Sequence, residues 1–390
     1  MMPRAASDRF ESMPASPFYV GLVLCGLATV LLGPILPILS ARWALNDLHS
    51  GTLFIAQFAA STIGAVLSSY YRRRSIVLGY LSIALGLALL AIGGYTAALF
   101  ALALIGAGVG GAVTASNLIF GTEYPEKRGA LLTRVNFSWG VGAVASPQLV
   151  ALAVRHSSLS HFLLLASLCT FGIFLFFLPL LKAGHAQHLS RHDTPTGLVH
   201  FPIFFLFSMI LFLYVGGETA ISGWIATYTH RFENLSPARS SLIVSIFWLA
   251  IVVCRGLLSF LLKIFSELAL LFLGIFLAMV GVAVFLFPHT PAITIGAVVA
   301  AGFGCAPVYP LAVSRLLGRT GRSRHTGWIF AICGSGGAVV PWLTGLLSQH
   351  SGSLSLAFVV PLGALACIAL CAALEAMTPA PKGKMHSSQQ

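Results

Sequence analysis

The 390-residue chain is 57% hydrophobic and 8% charged, with a mean hydropathy of +0.93. A soluble domain carries about 25% charged residues, so this composition excludes a water-soluble globular protein. The net charge of +12 raises the question of a nucleic-acid partner, which the placement of the basic residues answers below.

A helix needs about 20 mostly apolar residues to cross a bilayer. Such stretches recur at 17–40, 49–71, 75–94, 96–120, 130–154, 158–182, 200–228, 237–260, 265–287, 290–314, 326–348 and 353–376, which predicts an all-α membrane protein of twelve transmembrane helices. The runs are continuous, whereas β-barrel strands would be short and alternating. Residues 1–16 form a polar tail, and the first apolar run after it reads as a full span rather than a cleavable signal. Spans one to six occupy 17–182 and spans seven to twelve occupy 200–376. The polar segment 183–199 reads as a linker between two six-helix bundles, and 377–390 forms a second tail.

With twelve crossings both ends lie on one side. All but four of the 22 basic residues fall there, the exceptions being Arg42, Arg155, Arg231 and Arg239. That asymmetry predicts cytoplasmic termini in an inner (plasma) membrane, and it assigns the positive charge to topology and anionic lipid rather than to nucleic acid. All seven cysteines fall within predicted spans, with no metal-ligand spacing. No nucleophile–base arrangement or phosphate-binding loop stands out, so neither an enzyme nor a bound cofactor is expected. The tails and linker are too short to carry an output module, which argues against a membrane-embedded sensor.

An internal repeat supports the two halves. A shift of 194 residues sets Gly108 on Gly302, Gly110 on Gly304, Gly140 on Gly334, Gly142 on Gly336 and Pro147 on Pro341. Parallel repeats of this kind are a transporter architecture, with the substrate site near the midplane between the halves.

Of the ten acids, nine sit in loops, tails or span ends, and only Glu218 lies deep in a span. A carboxyl group costs a few kcal/mol at that depth, so it is expected to face a cavity and to load and release a proton. Tyr214, Glu218 and Ser222 share a helix face at spacing four. Gly216 and Gly217 could loosen the helix beside it. No Arg or Lys lies at the middle of a span, so a fixed salt bridge to Glu218 is not expected. Arg134 and Arg255 are read as snorkelling to the cytoplasmic headgroups. Asn117 and Asn136 are candidates for substrate contact, with hydrogen bonding between helices as the alternative. Gln57 and Gln148 are weaker ones. Trp248 and Tyr309 stand near mid-span, away from the interfacial belts, and Trp139 and Trp224 suit either belt or cavity.

With these features in hand, the sequence resembles the major facilitator superfamily over nearly its whole length. The second-to-third loop GAVLSSYYRRR is similar to the family's gating motif at Gly64, Arg72 and Arg73, with Ser68 where an aspartate is usual. Within that superfamily, GVGGAVTASN resembles the fourth-span motif of the fucose/glucose–proton symporters. Thr114, Ala115 and Asn117 match, and Val113 replaces the proton-carrying acid. NFSWGVGAVASP and LYVGGETAISGWIATY resemble that family's fifth- and seventh-span patterns, placing Asn136 at a sugar-contacting amide. The resemblance implies proton-coupled symport of a small polar solute, a monosaccharide above all, by a monomeric carrier. Asn117, Asn136, Tyr214, Ser222, Trp224, Trp248 and Tyr309 are then expected around the substrate and Glu218 at the proton. The other function considered is proton-driven export of drugs or amphipathic metabolites.

Overall fold

The computed structural model describes residues 16–122, 128–156, 158–181, 201–287, 290–320 and 326–378. The linker at 183–199 and nearly all of both tails lie outside the described residues.

Every described element is helical. Among the described residues ten helices have the length and hydropathy of a membrane crossing, and the bent pair Ser16–Val30 and Leu32–Trp43 makes an eleventh. The 26-residue helix Thr326–Ser351 stands where the eleventh span is predicted, packed against the second and seventh. In chain order the second to ninth spans are Asp47–Tyr70, Arg72–Ile92, Tyr95–Thr122, Arg128–His156, Leu159–Phe177, Phe201–Phe232, Pro237–Leu261 and Glu267–Val284. The tenth comprises Pro291–Cys305 and Val308–Thr320, and the twelfth Leu354–Ala357 and Val359–Met377. Polar side chains set several starts: Asn46, Ser158, Ser236 and Ser266 each accept a hydrogen bond from the backbone N–H three residues on.

Two of the breaks illustrate how proline removes a donor. The first bends by 45° at Leu31, where Pro34 cannot donate to the Val30 carbonyl. The tenth breaks between Cys305 and Val308, at Pro307. The expectation that Gly216 and Gly217 loosen the seventh span fails, because that helix runs unbroken from Phe201 to Phe232. Gly216 serves packing instead: a Cβ there would strike Val340 and the Gly336 carbonyl of the eleventh span.

In a bilayer helices associate by close backbone approach, which small residues permit. A Cβ on Gly142 of the fifth span would fall on the Val23 carbonyl of the first, and one on Gly336 of the eleventh on the Phe212 carbonyl of the seventh. Gly86 packs on Ala101 and Ile105, as Gly281 packs on Ala297 and Ala301. Gly79 meets the Gly108 carbonyl as Gly274 meets that of Gly304. The structural equivalent of Gly304 is thus Gly108, not Gly110. The 194-residue frame holds for Gly142 and Gly336 but slips by two residues in the fourth and tenth spans, because the second half has a shorter connection after this point.

Candidate functional site

The seventh span carries Glu218 with its carboxylate against Tyr214, one turn earlier on the same face, as the spacing of four requires. The Tyr214 hydroxyl donates to Glu218 Oε1 at 2.5 Å. Ser222, one turn later, donates to the backbone carbonyl of Glu218 rather than to its carboxylate.

Arg255 corrects the expectation that Glu218 lacks a basic partner. Its Nη2 lies 3.6 Å from Glu218 Oε1 and donates to the Tyr214 hydroxyl at 3.1 Å, while Nε donates to the Ala306 carbonyl at 3.4 Å. Arg255 therefore does not snorkel outward. Its long stem carries the guanidinium from the eighth span to the seventh, and the break in the tenth span supplies the carbonyl it meets. A position count along the eighth span places only the Arg255 backbone near the end; the side chain's reach is what the sequence reading missed.

Beside Glu218 lies a cavity of about 140 Å³ at the seam of the two halves. The bent first span contributes Thr29 and Gly33, the second Phe54 and Phe58, and the fifth Trp139. Glu218, Thr219 and Ser222 come from the seventh span and Trp248 from the eighth. The bend itself is held from both sides: Gln57 Nε2 donates to the Thr29 carbonyl at 3.0 Å, and Ser146 to that of Leu27 at 2.9 Å. Trp139 and Trp248 meet edge to face, ring centroids 5.6 Å apart. Trp139 Nε1 reaches Thr29 Oγ1 at 3.4 Å, but the buried Trp248 Nε1 makes no hydrogen bond among the described residues.

The other sequence candidates lie elsewhere. Asn117 is half-buried and donates to its own helix at Val113, and the exposed Asn136 donates to Leu132; neither lines the cavity. Tyr309 packs against Tyr214 with centroids 5.7 Å apart, behind the carboxylate. Trp224 is fully buried, donating to the Pro341 carbonyl at 3.0 Å, and ties the seventh span to the eleventh. Thr29, Gly33, Phe54 and Phe58 line the cavity without having been singled out. Only the Gly33-Pro34 pair could have signalled the bend that brings Thr29 inward. Among the described residues no cluster of His, Cys, Asp or Glu is arranged to hold a metal ion.

At one end of the seam the halves are tied by Asp47, which is 7% exposed. Its carboxylate accepts two hydrogen bonds from Arg231 and one of 2.5 Å from Ser348, and its N–H donates to Gln349 Oε1 at 3.3 Å. Closer to the cavity, Ser241 donates to the Pro34 carbonyl and Ser245 to the Val144 carbonyl.

Two helical halves enclosing a cavity, with a carboxylate on its wall and an arginine beside that carboxylate, define a multi-pass membrane transporter rather than an enzyme. The sequence matches the Major Facilitator Superfamily over residues 18–316, and the chain belongs to that superfamily. Bypass of stop codon protein 6 from Saccharomyces cerevisiae is 22% identical over 381 residues, spanning 85% of this chain and 76% of that protein. Among solved structures, a bacterial homolog of the human lysosomal transporter Spinster, inward-facing and occupied, superposes with a TM-score of 0.71 at 12% identity, over 95% of this chain and 96% of that one. The nucleoside transporter NupG gives 0.71 at 14%, covering 92% and 98%. The Escherichia coli fucose:proton symporter FucP gives 0.61 at 18%, covering 94% and 99%. At such identities the likeness is one of fold.

Proposed function

We propose that the protein couples uptake of a small polar solute to protons, with Glu218 as the proton carrier and alternating access between the two halves. The observation that carries this reading is the position of Glu218: an acid deep in a span, on the wall of a cavity at the seam, hydrogen-bonded by Tyr214. A carboxyl group at that depth is costly and serves a task. The fold shared with a fucose:proton symporter supports a sugar-like solute, and Ser222, Trp248 and Trp139 supply hydroxyl and aromatic surface around the cavity. Asn117 and Asn136 take part only by leaving the carbonyls they now bond. In this reading the basic ends of the spans, with both termini, face the cytoplasm across the inner (plasma) membrane. The Asp47 cluster then closes the opposite, outer end.

The test is Glu218→Gln in reconstituted vesicles, with the wild-type substrate identified first by thermal-shift screening. The neutral amide mimics the loaded carboxyl, so exchange across the membrane persists while accumulation driven by a pH gradient is lost. Accumulation that survives in Glu218→Gln removes the assignment.

A further inference from the structure

We propose that the solute is an anion, a small hydroxylated carboxylate of the sugar-acid class, and that its carboxylate replaces Glu218 as the partner of Arg255. The inference rests on the proton-coupled reading above and narrows it to one charge class.

Charge balance at Arg255 favours an anion. Among the described residues Arg255 has one carboxylate within ion-pair distance, Glu218. The other described ion pairs lie far from it in the fold: Asp47 is held by Arg231, and Glu375 by Arg315 and Arg319. The remaining titratable groups around the pair are neutral in their ordinary forms. They are Tyr214 on the seventh span, Cys254 on the eighth beside Arg255, Cys305 and Tyr309 on the tenth, and Cys333 on the eleventh. Once Glu218 accepts a proton, the guanidinium is left within the span without a counter-charge. An unpaired charge within a membrane span is unfavourable. Proton loading and arrival of an anion therefore favour each other, which is the linkage that symport needs. A neutral sugar would leave Arg255 uncompensated in the loaded state.

The hydrogen-bonding geometry agrees. Arg255 uses Nε on Ala306 and Nη2 on Tyr214, while Nη1 makes no hydrogen bond among the described residues. Its side chain is 36% exposed, and Glu218, which it faces, lines the cavity from which a carboxylate would approach the fork. Trp248 stands seven residues before Arg255, two turns earlier on the same helix face, about 10 Å away along the axis. Its buried N–H makes no hydrogen bond among the described residues, and Trp248 itself lines the cavity. A ligand with a carboxylate at one end and hydroxyls at the other satisfies both groups, and Ser222 and Thr219 add hydroxyls between them.

The experiment compares binding of D-gluconate, D-glucuronate and L-lactate with that of D-glucose to the purified full chain, at pH 5.5 and 7.5 and constant ionic strength. The expected result is carboxylate binding that tightens at least tenfold at the lower pH, with no binding of glucose. Arg255→Gln should weaken it at least tenfold at both pH values, and Arg255→Lys should retain part of it should the glutamine variant fail to fold. Glu218→Gln should bind carboxylates as tightly as the wild type does at pH 5.5, with the pH dependence gone. The anion assignment is overturned if glucose binds and no carboxylate does, if none of the four binds, or if the arginine variants bind carboxylates as the wild type does. Carboxylate binding that needs Arg255 but keeps its pH dependence in Glu218→Gln overturns Glu218 as proton carrier and leaves the anion assignment standing.

Discussion

Arg231, near the end of the seventh span, grips Asp47, at the start of the second, through two parallel hydrogen bonds of 2.9 and 2.7 Å. The pair joins one half of the molecule to the other, and it must part if the halves are to open at this end. Planar guanidinium and carboxylate match each other's geometry, which adds direction to the attraction. Solvent reaches Arg231, 37% exposed, so the pair is worth less than its geometry alone implies.

Asp47→Asn removes the charge while keeping an acceptor for Ser348. We expect it to shift the balance toward the conformation open at this end by about 1–2 kcal/mol, roughly a 5–30-fold change in population. Spin labels at the exposed positions Arg42 and Arg239, one in each half, read the change as a growing long-distance component. A distance distribution identical to that of the wild type would show the cluster to be structural decoration.

Trp248 carries a buried N–H without a partner, and such a donor is a standing cost that a ligand can remove. Trp248→Phe deletes the donor and keeps the edge-to-face contact with Trp139. The variant should melt no lower than the wild type, whereas affinity for the transported solute should fall about tenfold, the equivalent of ~1–3 kcal/mol. A lowered melting temperature with unchanged affinity would assign the indole to packing.

Glu375 is 1% exposed at the end of the twelfth span, paired with Arg315 and Arg319 of the tenth at 2.6 Å each. Removing one member of a buried cluster strands the others. Glu375→Ala should therefore cost about 3 kcal/mol, read as a lower melting temperature in detergent with the second half affected first in limited proteolysis. Arg315→Met alone should cost less, since Arg319 still holds the carboxylate.

The helical architecture was legible because the bilayer imposes a length and a hydropathy that Phe201–Phe232 or Glu267–Val284 display without ambiguity. Glu218 was legible for the same reason, as a charge where hydrocarbon was due. Arg255 was not. A position count reports where a Cα lies, and a guanidinium on a long stem ends several ångströms from it. The breaks at Leu31 and Pro307 were signalled by their prolines, but Gly216 and Gly217 drew attention instead. A glycine inside a lipid-embedded helix marks close approach at least as often as flexibility.

Two populations stand out among the tightly packed glycines. Gly142, Gly336 and Gly106 sit under carbonyls of their own half, at Val23, Phe212 and Gln57. Gly33, Gly51 and Gly345 instead face the opposite half, at Ser222, Trp342 and Asp47. A methyl group added to the first kind obstructs assembly of a bundle in every state of the cycle. Added to the second, it obstructs only the arrangement in which this end is shut. A genetic screen for lost transport should therefore yield two phenotypes among glycine substitutions: carriers that never accumulate in the membrane, and carriers present at normal abundance but stalled with one door ajar.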